Sequence, residues 1–371
     1  MERASARIDQ DAIRANCARL KAELGEAELC AVVKADGYGH GADVCASAAL
    51  DGGATRLAVA TAGEAEQIGR RFQHVPLLTM GALTAEEVDA VISAGSELAL
   101  WREDSRRLIA ERARAHGHRA RVHVKYDTGM GRLGERDPDA VLRLLEAAAG
   151  DERIELAGFW THFATADERD SDFFDTQLKR FAKLLERVRA AYPDVIVHAA
   201  NSAATLRDPA AHFDMVRCGI AIYGLDPFNT DPFERELEPA LELRSYVADV
   251  KRFAAGDSAG YGRHWRTPAK TFVGVLPIGY GDGVLRRLAN NADVLVCGRR
   301  RPLVGMVSMD NVTIDLGPEP EVNQGASATL IGSQDEERIL CEEVAHRLDT
   351  INYEVTCGIS QRVPRMFTGA T

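Results

Sequence analysis

The sequence predicts a two-domain α/β protein: an amino-terminal (β/α)8 barrel of the TIM type over residues 1–235, then a carboxyl-terminal, mainly antiparallel β domain over residues 236–371. Three observations carry this. From residue 29 to about 224, a short apolar run, a polar or glycine turn and an Ala-, Glu- and Arg-rich stretch follow one another repeatedly, which is the alternation of βα units. Roughly eight such units in about 200 residues is the count of a barrel. After a proline-bearing, charged stretch at 226–239, the texture becomes β-rich.

The strand candidates, in order, are LCAVVKA (29–35), RLAVAT (56–61), VPLLTM (75–80), ELALW (97–101), ARVHVKYD (120–127), ELAGFWTHF (155–163), VIVHAAN (195–201) and DMVRCGIAIYG (214–224). Between them, segments such as DAVLRLLEAAA and DTQLKRFAKLLERVRAAY carry apolar residues at helical spacing with charges on the other faces. A doubly wound sheet has the same rhythm and is the rival architecture. The reactive side chains favour the barrel: Lys34, Lys125, Asp127, His162, Asn201 and Arg217 all fall at or near carboxyl ends of strands, where barrels build active sites. In the second domain, ALELRSYVADV, TFVGVLPIGY, DVLVCG, PLVGMVSM and NVTIDLG read as strands, with Val312, Ile314 and Leu316 on one face. Only CEEVAHRLDTINYE, 341–354, reads there as a helix.

Composition narrows the function. A net charge of -11 argues against nucleic acid or an anionic membrane as partner. No stretch is apolar enough to span a bilayer, and the amino terminus lacks the apolar core of a signal peptide, so the expected location is the cytoplasm. The seven cysteines are scattered and never paired as C-x-x-C, so neither a disulfide framework nor a metal site is expected.

The stretch LCAVVKADGYGHGADVC ends an apolar run in Lys34. Burying an ammonium is costly unless it is paired or neutralised. An ion-paired rim lysine is one reading; a Schiff-base lysine, whose amine must lose its proton to attack an aldehyde, is the other. The glycines beyond Lys34 and the phenol of Tyr38 suit a tight loop beside a cofactor phosphate. DTGMGRLG contains G-x-G-x-x-G from Gly129 to Gly134 after a strand, the pattern of a dinucleotide fingerprint, but it encloses Arg132 and follows the fifth strand of the series. Its glycines are read instead as letting the loop approach a substrate.

AVVKADGYGHG resembles the pyridoxal-phosphate signature of alanine racemases, and VHVKYDTGMGRLG, WTHFATAD, HAANSAA, VRCGIAIYG, AGYGRHW, GYGDG, VSMDN and INYEVTC resemble that family's other blocks in the same order. The resemblance spans nearly the whole chain. It implies an isomerase that interconverts L-alanine and D-alanine for peptidoglycan on pyridoxal 5'-phosphate, with Lys34 holding the cofactor and acting as one base. The opposite base implied is Tyr261, reaching into the barrel of a partner subunit of a homodimer, its phenolate supported by His162 and, beyond it, Arg217.

The resemblance further implies that Arg217 meets the pyridine nitrogen, leaving it largely unprotonated and limiting transamination. Cofactor contacts are implied for Tyr38, His162, Asn201, Ser202, Gly219, Ile220 and Tyr353. Substrate contacts are implied for Arg132, for Met309 of the partner, and for Tyr280 and Asp310 lining the way in. Lys125 matches a lysine that is often carbamylated and would then orient Arg132. The sequence departs from the family at Ser308, where VSMD replaces the usual VCMD, with a modest effect on substrate fit expected. Racemases of serine or basic amino acids, barrel-type decarboxylases of basic amino acids, and non-catalytic single-barrel carriers of the cofactor are the alternatives; the last lack a β domain.

Overall fold

The computed structural model describes residues 2–319 and 322–369. The chain divides into two units, one formed by Arg14–Gly37 and Ala42–Ile222, the other by Met1–Ile13, Tyr38–Gly41 and Tyr223–Thr371.

The first strand, β1 (Ser5–Asp9), belongs to the second unit. The first unit is a closed barrel of eight parallel strands: β2 (Glu28–Val32), β3 (Arg56–Val59), β4 (Leu77–Thr79), β5 (Glu97–Leu100), β6 (Ala120–Lys125), β7 (Ile154–Trp160), β8 (Ile196–His198) and β9 (Met215–Cys218). Pairing of β2 with β9 closes it. All four residues of β3 and of β5 are buried, as parallel strands covered on both faces require.

The helices between strands start where their sequences supply caps. Thr61 with Glu64 and Thr84 with Glu87 form capping boxes on Ala62–Arg71 and Ala85–Ser93, and Asp137 caps Pro138–Ala149. Phe173–Ala191 turns Phe174, Gln177, Phe181, Leu184 and Val188 inward at helical spacing.

The apolar run 214–224 is strand only over Met215–Cys218; Ile220–Tyr223 is a 3-10 turn. The N–H groups of Gly219 and Ala221 point to the hydroxyl of Ser202, so the ladder stops there.

In the second unit the sheet path runs Arg299–Pro302, Asp293–Val296, Ser327–Gln334, Leu241–Tyr246, β1 and Arg365–Thr368, with Glu337–Ile339 beside Ser327–Gln334. Neighbours are antiparallel except β1 with Arg365–Thr368. Asp249–Phe253, Thr271–Leu276 and Val312–Gly317 form a separate antiparallel sheet, and Val312, Ile314 and Leu316 are buried as the alternation predicts. The helical stretch 341–354 is two helices, Cys341–Leu348 and Asn352–Cys357, because Asp349 is left-handed at φ 59°.

Candidate active site

Lys34 stands two residues beyond β2, half-buried, and opens an unusual turn. Ala35, Asp36, Gly37 and Tyr38 are all left-handed, with φ of 52°, 52°, 62° and 54°. Each non-glycine residue held there costs about 1–2 kcal/mol. The turn is held by local bonds: Ala35 N donates to Glu64 Oε1 at 2.7 Å, Ala42 N to Asp36 Oδ1 at 2.9 Å and Gly37 N to Val33 O at 2.9 Å.

Around Lys34 the barrel strands contribute cations. Lys125, the last residue of β6, is 2% exposed, with Nζ 4.2 Å from the centre of the Trp160 ring. Burial, together with the charges of Arg217, Arg132 and Lys34, pulls its ammonium down to about 7. Burial and the charges of Arg217 and Lys125 likewise hold the His162 imidazole well below its ordinary value, hence neutral.

Arg217 on β9 is buried, with its guanidinium carbon 4.7 Å from the centre of the Trp160 ring. It donates to Thr161 O at 3.0 Å, Ala199 O at 3.1 Å, His198 Nδ1 at 2.7 Å and His162 Nδ1 at 3.2 Å. Burial lowers it to about 10, which still leaves it charged at neutral pH. Lys34, Lys125, Arg132 and Arg217 thus form a cationic pocket in a chain of net charge -11. Such a pocket selects small anions.

A second set of donors lies beside it. Ser202 begins the helix Ser202–Arg207, and its Oγ accepts from Gly219 N at 3.0 Å and Ala221 N at 3.3 Å. A neutral hydroxyl holds these two converging N–H groups and can turn to donate beside them, so the three together suit a phosphate, whereas N–H groups held by a fixed carboxylate do not. Ala221 has no side-chain signature and escapes a sequence reading. Asn201, expected among the cofactor residues, caps this helix by accepting from Ala204 N at 2.9 Å.

The glycine loop at 129–134 is not an anion cradle. Its donors are taken by Asp127, whose carboxylate accepts from Gly129 N at 3.0 Å and Gly131 N at 2.9 Å. A Cβ on Gly129 would lie 2.6 Å from the Phe173 ring and one on Gly134 2.9 Å from Asp127 N, so these two glycines serve packing, while Gly131 stands in open space at φ 69°; Arg132 between them is exposed.

The remaining expected residues lie in the β unit. The rings of Tyr38 and Tyr353 both pack near one another, with centroids 6.0 Å apart, and Tyr38 lies 5.2 Å from Tyr223. Gly39 is fixed by space: a Cβ there would sit 2.3 Å from Thr356 O. GYGDG and VSMD form one loop pair, with Tyr280 N bonded to Ser308 O at 3.0 Å and Gly281 N to Met309 O at 2.9 Å. Ser308 Oγ turns back to Asn311 O at 2.6 Å, and Asp310 pairs with Arg362 at 2.6 Å. Met309 and Tyr280 are exposed, and Tyr261, on the turn between Ser258–Ala259 and Trp265–Arg266, is 71% exposed.

Residues 8–227 match the family description "Alanine racemase, N-terminal domain" and residues 240–367 match "Alanine racemase, C-terminal domain". The chain is 42% identical to the alanine racemase of Symbiobacterium thermophilum over 99% of its own length and 97% of the relative's. With that of Geobacillus stearothermophilus it shares 41% identity over 98% and 92% of the two chains. Among solved structures, the alanine racemase from D-cycloserine-producing Streptomyces lavendulae superposes with a TM-score of 0.95 at 34% identity, covering 100% of this chain and 98% of that one. The Bacillus anthracis alanine racemase with bound L-Ala-P gives 0.90 at 38% identity, covering 100% and 96%.

Proposed function

We infer the roles of these residues from one premise, that the chain belongs to the alanine racemase family and interconverts L-alanine and D-alanine. The observation that carries the reading is the donor set of the barrel unit: a half-buried lysine, a buried arginine and the Ser202, Gly219 and Ala221 group. These residues fit pyridoxal 5'-phosphate. Lys34 would hold its aldehyde carbon, Arg217 its ring nitrogen, and Ser202 with the N–H groups of Gly219, Ile220 and Ala221 its phosphate. Tyr38 and Tyr353 would be further phosphate contacts, as the family resemblance implies. When bound, the cofactor supplies the electron sink that lets the α-proton leave.

The rest is done by the chain. Lys34 Nζ takes or gives the α-proton on one face, and Tyr261 Oη, supplied by a second copy of the chain, serves the other. A phenol ordinarily loses its proton near pH 10, so a phenolate there needs donors. His162 supplies one, because its Nδ1 accepts from Arg217 and its hydrogen must then be on Nε2. Arg132 and Met309 bind the substrate, with Tyr280 and Asp310 lining the way in. Lys125, an amine neutral in part near pH 7, is suited to carbamylation: Nζ bonds the carbon of CO2, releases a proton and leaves an anion for Arg132.

The test is proton NMR of the cofactor-loaded protein with L-alanine in deuterium oxide, with chiral analysis of the amino acid. Loss of the α-proton signal together with D-alanine is expected; persistence of both the signal and the handedness overturns the reading. Borohydride treatment followed by peptide mapping should attach the cofactor to the peptide bearing Lys34, and attachment elsewhere removes Lys34 from its role.

A further inference from the structure

TIM-type barrels fill their interior with layers of branched apolar side chains. This one carries a line of polar side chains through it. Glu97, the first residue of β5, is 2% exposed. His123, in the middle of β6, approaches it through Nε2 at 2.6 Å. Nδ1 of His123 lies 2.8 Å from Nε2 of His198, and Nδ1 of His198 lies 2.7 Å from Nη1 of Arg217. Both imidazoles are fully buried. Room for the line is built in: a Cβ on Gly158 of β7 would stand 2.0 Å from Nδ1 of His123.

The two ends fix every proton between them. A guanidinium only donates, so Nδ1 of His198 accepts. Burial and the neighbouring Arg217 keep His198 neutral, so its hydrogen is on Nε2 and is donated to Nδ1 of His123. That places the hydrogen of His123 on Nε2, which donates to Glu97. Burial works against ionisation of Glu97, but the bond donated by His123 and the charges of Arg56 and Arg121 outweigh it and hold the carboxyl down to about 2. Arg56 and Arg121 reach Glu97 at 3.1 Å and 2.5 Å.

We propose that Glu97 and His123 are positioning residues for the racemisation, acting through His198 to give the buried Arg217 a distant counter-anion and a single hydrogen-bonding direction. Bonds in such a chain polarise one another in a low-dielectric interior. Glu97 strengthens the acceptor that holds Nη1 of Arg217, moderates the pull of Arg217 on the ring nitrogen, and leaves Nη2 to set His162 as an outward donor. Loss of the anion strengthens that pull and favours return of the proton to the cofactor carbon instead of the α-carbon. Water would then hydrolyse the carbon–nitrogen bond, its oxygen becoming the keto oxygen of pyruvate and the nitrogen staying on the cofactor as an amine, so that one pyruvate would be released per amine form of the cofactor. This consequence rests on the function proposed above; the proton positions do not.

Neutron diffraction from the deuterated, cofactor-loaded full chain tests the positions. A deuteron on Nε2 of both His123 and His198, with none on either Nδ1, is expected; one on Nδ1 of either ring overturns the proposal. The role is tested with Glu97→Gln and Gly158→Ala, the second displacing His123 without removing a charge. Each is expected to raise pyruvate formed per racemisation on the order of tenfold, the scale on which hydrogen-bonded supports of a ligating group act. Arg121→Gln, which removes the ion pairs of Arg121 with Glu97 and Glu155 but keeps the bond between His123 and Glu97, should leave the ratio unchanged. A ratio unmoved in Gly158→Ala, or moved equally by Arg121→Gln, sinks the positioning role. A wild-type chain that does not racemise alanine would sink the function instead and leave the neutron result standing.

Discussion

Lys125 and Arg217 share the indole of Trp160, their charged groups 4.2 Å and 4.7 Å from its ring centre. Two cations in one buried pocket repel each other, and the group with the lower intrinsic proton affinity gives way. Arginine stays charged up to about pH 10, while the lysine titrates at about 7.

The lysine should therefore make stability depend on pH. Its native value lies below the unfolded one of about 10.4, so between the two the unfolded chain binds the extra proton and stability rises with pH. At about 1.4 kcal/mol per unit, the wild type should gain about 2 kcal/mol between pH 7 and 9 relative to Lys125→Met. Urea unfolding of both proteins in buffer freed of carbon dioxide measures it. Parallel stability curves would show that Lys125 stays charged in the native state.

Asn201 offers a different separation. Its side chain caps the helix that begins at Ser202, so Asn201→Ala should cost about 1 kcal/mol while Asn201→Asp, an equally good cap, restores stability. Direct contact with a cofactor would give another pattern, since a new carboxylate would weaken binding of an anion. Denaturation midpoints and cofactor dissociation constants for the two variants, taken together, distinguish capping alone from capping with contact.

The placement of Lys34, Lys125 and Arg217 at strand ends was legible because a cation closing an apolar strand is conspicuous; the roles of Lys125 and Arg217 came only from the family resemblance. Glu97 and His123 were not legible, although SELAL and VHVK display them. A lone acid or histidine inside a strand says nothing of its partner until the barrel closes and brings β5, β6, β8 and β9 together. Ala221 acts through its backbone, and backbone donors leave no trace in residue identity. The strand β1 pairs with Leu241–Tyr246 and Arg365–Thr368, partners so distant in the chain that no local pattern marks it. The break at Asp349 is likewise a backbone event within a stretch of helical periodicity.

Glu342 carries a prediction for the β unit. It is 2% exposed and accepts through Oε1 from Asp226 N at 2.9 Å and Asn352 Nδ2 at 2.8 Å. Burial raises its carboxyl, and Asp226 adds to the shift. A carboxyl raised in the native state contributes stability that is fully present below its unfolded value of about 4.3 and is lost as pH rises through the native one. Glu342→Gln keeps a carbonyl acceptor and cannot ionise. Its melting temperature should exceed the wild type's at pH 7 and approach it near pH 4; a variant less stable at pH 7 would mean that the charged form is the one the fold prefers.

Tyr261 tests whether two copies complete one site. A single chain leaves its ring 71% exposed and Met309 52% exposed, so both side chains are accessible to a second copy. If Tyr261 is the base on the face opposite Lys34, Tyr261→Phe should lower turnover from L-alanine by about 10²-fold or more, the contribution of a positioned base, with cofactor content unchanged. Mixing Tyr261→Phe with Lys34→Ala supplies the sharper result. Each variant alone is strongly impaired, but a mixed dimer pairs one intact Lys34 with one intact Tyr261 only if the two act across the subunit boundary. Recovered racemisation in the mixture, tracked against dimer exchange by sedimentation, would establish the shared site, whereas a mixture as impaired as its parents despite exchange would place both bases in the same chain.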